Sequence, residues 1–400
     1  MERKELELNA LLEITQAINA NVSEESLYKI FLFTLRANLQ IKKLALYVLD
    51  EEWACKVHFG TNHSFTQIPM DTSFLDIRAT CFHCTDQAAE PFREFDTLIP
   101  VLHKNRLLAM AMVGGVSPLY TSLQESNTNF IQALCNIIIV AIENKRMTRR
   151  QIEQEAFKKE MEIAKQVQQG LFPSFLPNTE QLKVTAYYEP HFSIGGDYYD
   201  YLHLGEHQHM LCVADVSGKG IPAALLMSNF QATLRTLIRK THDLREIVQE
   251  LNYLIGLSAQ GDHFITFFIA LYDEQARKLR YINAGHNPSI LMLADGKQML
   301  LEKGTTILGA LDTLPMLEMG EVEVSGNFLL FCYTDGLVET FNPNQEEFGQ
   351  EALQDILTRH QQENPLVIQE RIMESLHQFK QGVEFRDDIT MLTLQVTHTL

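Results

Sequence analysis

Between Arg146 and Gln169 the chain (RMTRRQIEQEAFKKEMEIAKQVQQ) carries no proline and no glycine and is dense in Glu, Lys, Arg and Gln, all good helix formers. Ile152, Ala156, Ile163 and Val167 fall on one side of the helix this predicts, and Gly170 and Pro173 end it. A rod in this place obliges the flanking halves to bury separate cores. The length of 400 residues agrees, because it exceeds what one hydrophobic core usually organises. Three parts are expected: a domain over 1–145, a helical linker over 146–172 and a second domain over 173–400. The rod reads equally as a solvated spacer or as a short coiled-coil-like signalling helix that dimerises; its apolar seam is too short to separate the two.

In the first half, apolar spacing predicts helices over Leu6–Ala20 and from Ser23 through Leu35, and a long one over Phe130–Ile142. Strands are expected at Lys43–Leu49, Thr97–Leu102 and Leu107–Val113. Beyond Pro177 the pattern changes to strands at Leu182–Tyr188, Met210–Val216, Phe264–Tyr272, Lys278–Asn283, Ser289–Leu293 and Asn327–Tyr333. Helices are expected over Ala223–Lys240, Leu244–Ser258, Glu351–His360 and Leu366–Phe379. Strands that follow one another directly, with helices inserted in pairs, favour an α+β antiparallel sandwich covered by helices over a doubly wound parallel sheet.

The formal net charge of -18 argues against nucleic acid or an anionic membrane as partner, since both are held by clustered Lys and Arg, and it suits a collector of divalent cations. The opening residues lack an apolar signal core, and no stretch approaches the roughly 18 apolar residues of a membrane span. A soluble, cytoplasmic protein is expected. Its six cysteines are scattered and indicate no disulfide framework. Cys81-Phe82-His83-Cys84 has zinc-like spacing but no second pair, and both cysteines read as incidental.

The chemistry concentrates in four motifs at strand ends: Gly195-Gly196-Asp197, Asp215-Val216-Ser217-Gly218-Lys219-Gly220, Thr334-Asp335-Gly336 and Arg386-Asp387-Asp388-Ile389-Thr390. An acid after an apolar strand, followed by glycine, is held at a sheet rim where backbone can approach a bound ion. Clustered carboxylates repel unless a cation neutralises them, and hard oxygen donors select Mg²⁺ or Mn²⁺ over zinc. One Asp-Gly alone is a hairpin signal; four in this order predict a metal site. His286, in a polar turn, is a candidate acid, although such a histidine is more often bonded to backbone. Gly218 and Lys219 lead into a helix and suit either phosphate binding or a tight connection.

These motifs, with AKQVQQGLFP, GKGIPAALLM, FITFFIALYD, YINAGHNPSILML and FCYTDGLVETFNPNQEEFG, resemble the protein phosphatase type 2C superfamily from about Ile163 onward, in its bacterial branch of stage II sporulation phosphatases and RsbU-like regulators. The resemblance implies an αββα sandwich with a binuclear Mn²⁺ or Mg²⁺ site at one edge. Asp197 and Asp215 fall on catalytic metal ligands, with Asp215 bridging and the Val216 carbonyl assisting. Asp335 and Asp387 fall on the remaining ligands; Asp387 is preferred over Asp388, which sits where many relatives carry Asn. The histidine and arginine of eukaryotic relatives are missing here, which leaves leaving-group protonation open. The activity implied is hydrolysis of phosphoserine or phosphothreonine on a protein, a STAS-type anti-sigma-factor antagonist being the substrate suggested. Residues from about Glu5 to Lys145, from LLEITQAINANVSEESLYKI to FIQALCNIIIVAIENKRM, resemble a GAF domain, which implies a homodimer and an unidentified small-molecule effector. The competing readings are a degenerate phosphatase fold that only binds a phosphoprotein, which the presence of all four acids disfavours, and a sensor histidine kinase, which lacks a phospho-acceptor helix pair and a glycine-rich ATP lid.

Overall fold

The computed structural model describes residues 2–39, 41–86, 88–115, 121–205, 207–259 and 263–398. The chain divides into two compact units, Met1–Ala156 and Phe157–Leu400.

The first unit holds an antiparallel sheet in the order Trp53–Phe59, Lys43–Leu49, Arg106–Gly114, Thr97–His103, Cys81–Phe82. Its inner strands are buried on both faces, successive side chains alternating between two cores. Leu44, Leu46 and Val48 meet the helices Glu2–Asn19 and Glu24–Leu39 and the start of Thr121–Gln169, whereas Ala45 and Tyr47 meet Phe65, Phe74, Phe92 and Phe95. The closing helix and the linker expected as separate elements are one continuous 49-residue helix, Thr121–Gln169. Nothing in its sequence between Ile142 and Arg146 breaks it. Cys81 and Cys84, read from the sequence as incidental, lie side by side with Cα atoms 6.0 Å apart. A two-residue spacer in a turn brings them within bridging range, a local geometry that a search for a multi-bridge framework passes over.

The second unit is a sandwich. One sheet runs Gly304–Thr305, Lys278–Ala284, Ile265–Asp273, Gln208–Val216, Tyr198–His203, with Gly320–Glu323 also on Lys278–Ala284. The other runs Gln298–Leu301, Ser289–Leu293, Phe328–Tyr333, Ile389–Val396, Leu182–Glu189, antiparallel throughout. Leu211, Val213, Phe268, Leu330 and Leu392 fill the space between sheets. Met210, Cys212 and Ala214 turn outward under the helices Ile221–Ile238 and Leu244–Ala259. Phe331 and Met391 turn outward under Gly349–His360 and Pro365–Lys380. The expected antiparallel αββα arrangement is thus observed. No helix among the described residues is long and apolar enough to cross a membrane.

Candidate metal centre

Each sheet sends neighbouring strand ends to the same rim. In the first, Tyr198 pairs with Ala214, so Asp197, just ahead of Tyr198–His203, comes opposite Asp215, the penultimate residue of Gln208–Val216. In the second, Tyr333 pairs with Met391, which puts Asp335 after one strand beside Asp387 and Asp388 before the other. Two hydroxyls tie the sheets together here: Thr334 Oγ1 and Thr390 Oγ1 donate to Asp197 Oδ2 at 2.8 and 2.5 Å.

The acids sense one another. Asp197 is 1% exposed, and its carboxyl is pushed well above the usual range by burial and then by Asp215 and Asp388, against the pull of the two threonines. Asp215 is raised to about 7 by burial, with Asp335, Asp387 and Asp388 adding like charge. Burial and then Asp387 raise Asp335. Such shifts are the mark of a carboxylate group short of positive charge, and an all-oxygen donor set of this kind fits Mg²⁺ or Mn²⁺. Among the described residues no three His, Cys, Asp or Glu side chains are already gathered closely enough to close on one ion.

Asp387 and Asp388 do different work. Asp388 is 8% exposed and spends both oxygens on backbone, accepting from His191 N–H at 2.7 Å, Gly196 N–H at 2.7 Å and Asp197 N–H at 3.4 Å. This close approach is what requires glycine at 195: a Cβ there would lie 2.1 Å from Asp388 Oδ2. Asp387 is more open; its Oδ1 accepts from the Asp388 N–H, and its Oδ2 meets Lys219 Nζ at 2.7 Å. The Val216 carbonyl faces the Gly196 backbone. His286 is buried, its Nδ1 2.8 Å from Thr266 Oγ1, and burial pushes it down to about 4.

Sequence reasoning missed Gln168. It sits in the last turn of Thr121–Gln169, 6% exposed, and grips Gly195 from both sides, its Nε2 donating to the carbonyl at 2.7 Å and its Oε1 accepting from the N–H at 3.2 Å. An apolar groove of about 260 Å³, lined by Met161, Val167, Ile194, Ile221 and Leu225, runs alongside. The signal was available only as a polar side chain among many on an otherwise solvated helix. Thr334 and Thr390 stood inside the quoted motifs without a role. Glu339, raised by burial and by Asp335, was also passed over.

This rim, two sheets delivering acids to one edge of an αββα sandwich, defines the fold of the protein phosphatase type 2C class. The structure resembles the SiaA-PP2C domain of Pseudomonas aeruginosa with a TM-score of 0.55 at 19% identity, over 62% of this chain and 99% of that one. Residues 205–397 match the profile of stage II sporulation protein E. Among curated relatives, the chain is 26% identical over 262 residues to protein IcfG of Synechocystis sp., covering 59% of this chain and 41% of that protein. It is 28% identical over 281 residues to phosphoserine phosphatase RsbU of Bacillus subtilis, covering 69% and 82%. The match thus spans less than half the length of IcfG.

Proposed function

We propose that the C-terminal unit is a cytoplasmic, two-metal protein serine/threonine phosphatase governed by the N-terminal unit. The observation that carries this reading is the convergence of Asp197, Asp215, Asp335 and Asp387 on one rim, with the buried members held above their usual pKa by burial and mutual charge. Asp197 and the Val216 carbonyl would hold one side of a metal pair, Asp335 and Asp387 the other, and Asp215 would serve both. When bound, such ions lower the pKa of water toward about 7 and offset charge on a phosphoryl group. The chain's own part is to fix the donors: Thr334 and Thr390 orient Asp197, and Asp388 clamps the turn that leads into it. The likeness to a phosphoserine phosphatase, RsbU, supports phosphoserine as substrate, and the STAS-type antagonist is the substrate class we favour.

Removing metal gives the direct test. Hydrolysis of a phosphoserine peptide is expected to vanish in EDTA and return with Mn²⁺ or Mg²⁺; full activity in excess chelator would sink the mechanism. The chelated protein carries a second signature. Asp215 has its folded pKa raised to about 7 from 3.8, so the folded state binds this proton more tightly than the unfolded one. The contribution is fully present below about pH 4 and is lost as pH rises through about 7. Thermal midpoints in EDTA should fall across that window, and saturating Mn²⁺ should flatten the fall.

Regulation is read through the continuous helix Thr121–Gln169. The first unit is proposed as a GAF-like module that dimerises or binds an unidentified small molecule. The exposed Ile152, Phe157, Ile163 and Val167 supply apolar surface for a second copy. A rigid helix that ends on Gly195 through Gln168 can carry a change to the Asp197 turn, which a flexible tether cannot. Inserting a Gly-Ser segment near Lys158 is expected to change basal phosphatase rate or uncouple it from effector. Identical rates on a phosphoprotein for the insertion variant, the intact chain and the catalytic unit alone would reduce the helix to a tether.

A further inference from the structure

Lys219 is the cation that reaches the acid rim. Its Nζ lies 2.7 Å from Asp387 Oδ2, it donates to the Arg386 carbonyl, and its charge opposes the upward shift of Asp335. The side chain is 43% exposed, as is that of Asp387. Its backbone stands between Gly218 and Gly220, at φ +96° and +70°, conformations that glycine adopts without steric cost. A methyl group at Gly220 would meet nothing within 4 Å, and one at Gly218 only the His263 ring, at 3.6 Å.

We propose that Lys219 is a tethered rival of the divalent cation. Its ammonium engages one oxygen of Asp387, a carboxylate that an ion shared with Asp335 would use, so that ion would have to displace it. The inference rests on the reading above that these acids bind divalent metal. The physics is a trade between like charges at one oxygen. A half-exposed ammonium–carboxylate pair is weak and breaks readily, yet a positive charge a few ångströms from an incoming dication opposes it directly. The rim would then hold two unequal ions that share Asp215: one tight on the Asp197 side, and one exchangeable on the Asp335–Asp387 side whose affinity is set by the lysine.

Calorimetric titration of the full-length protein with Mn²⁺ tests this on wild type, Lys219→Met, Lys219→Gln and Lys219→Arg, with circular dichroism as the check on folding. Met keeps the aliphatic stem and Gln keeps polarity; both lose the charge, and Arg keeps it. The weaker site is expected to tighten about three- to tenfold in the Met and Gln variants and to stay within about twofold of wild type in the Arg variant. Equal or weaker Mn²⁺ binding by both neutral variants overturns the rival role. A rise in KM for a phosphopeptide with unchanged Mn²⁺ affinity overturns it too, and marks Lys219 as a phosphate ligand. Wild-type protein that binds no Mn²⁺ overturns the metal reading itself, and this inference with it.

Discussion

Replacing Asp215 by asparagine is expected to lower turnover by about three orders of magnitude or more while leaving the fold at least as stable as before. The two effects share one cause. Asp215 lies between Asp197 and the Asp335–Asp387 side of the rim, so removing its charge strips a ligand from both proposed ion positions at once. The same charge is a burden to the apo fold, since burial and three neighbouring acids hold its pKa near 7. A neutral amide avoids that cost, and in EDTA at pH 8 the variant should melt at a higher temperature than wild type. Phosphopeptide kinetics and thermal melts, each with and without Mn²⁺, measure both halves. A variant that turns over at wild-type rate would show that the bridging position has been misassigned; one that fails to fold would show that Asp215 is structural.

The other large effect belongs to Asp388. Truncation to alanine leaves the N–H groups of His191, Gly196 and Asp197 without their acceptor. Buried donors stripped of partners cost about 1–3 kcal/mol each at the outset, less as the turn relaxes. The C-terminal unit should lose about 2–4 kcal/mol of stability, and Mn²⁺ affinity should fall because the Asp197 turn is no longer held. Asparagine retains one acceptor oxygen but turns an NH2 donor toward the other backbone N–H, so Asp388→Asn should recover only part of the stability. Equal melting and Mn²⁺ binding in the alanine and wild-type proteins would remove Asp388 from its role as clamp.

Much of this architecture could be read from the residues, and the exceptions have physical causes. Ser289–Leu293 and Lys43–Leu49 were placed to the residue because each is a short apolar run bounded by turn signals. Tyr198–His203 was missed because Asp200 interrupts the run; the carboxylate is buried within a strand only because Arg235 and the Tyr198 hydroxyl neutralise it from elsewhere in the fold. Ile389–Val396, next to the middle of its sheet, was masked by its threonines and by the charged motif just before it. Trp53–Phe59 alternates Lys56 and His58 with Cys55 and Val57, an edge-strand pattern too polar to stand out. The acids of the rim were legible as strand-end residues. Their supports were not: a glutamine becomes a clasp, and one of two adjacent aspartates a structural anchor, only when residues far apart in sequence meet, as Gln168 meets Gly195 and Asp388 meets His191.

The threonine bonds to Asp197 have a consequence for how this domain would fail. They join a residue at the edge of one sheet to strands of the other, so the rim reports the spacing between the two layers. A cavity cut into the shared interior, at Phe268 or Leu330 for example, lets the layers settle toward each other. The threonine hydroxyls would shift with them, and the aspartate with the hydroxyls. Damage deep in the apolar layer would thus surface first as poorer cation retention, well before the protein melts.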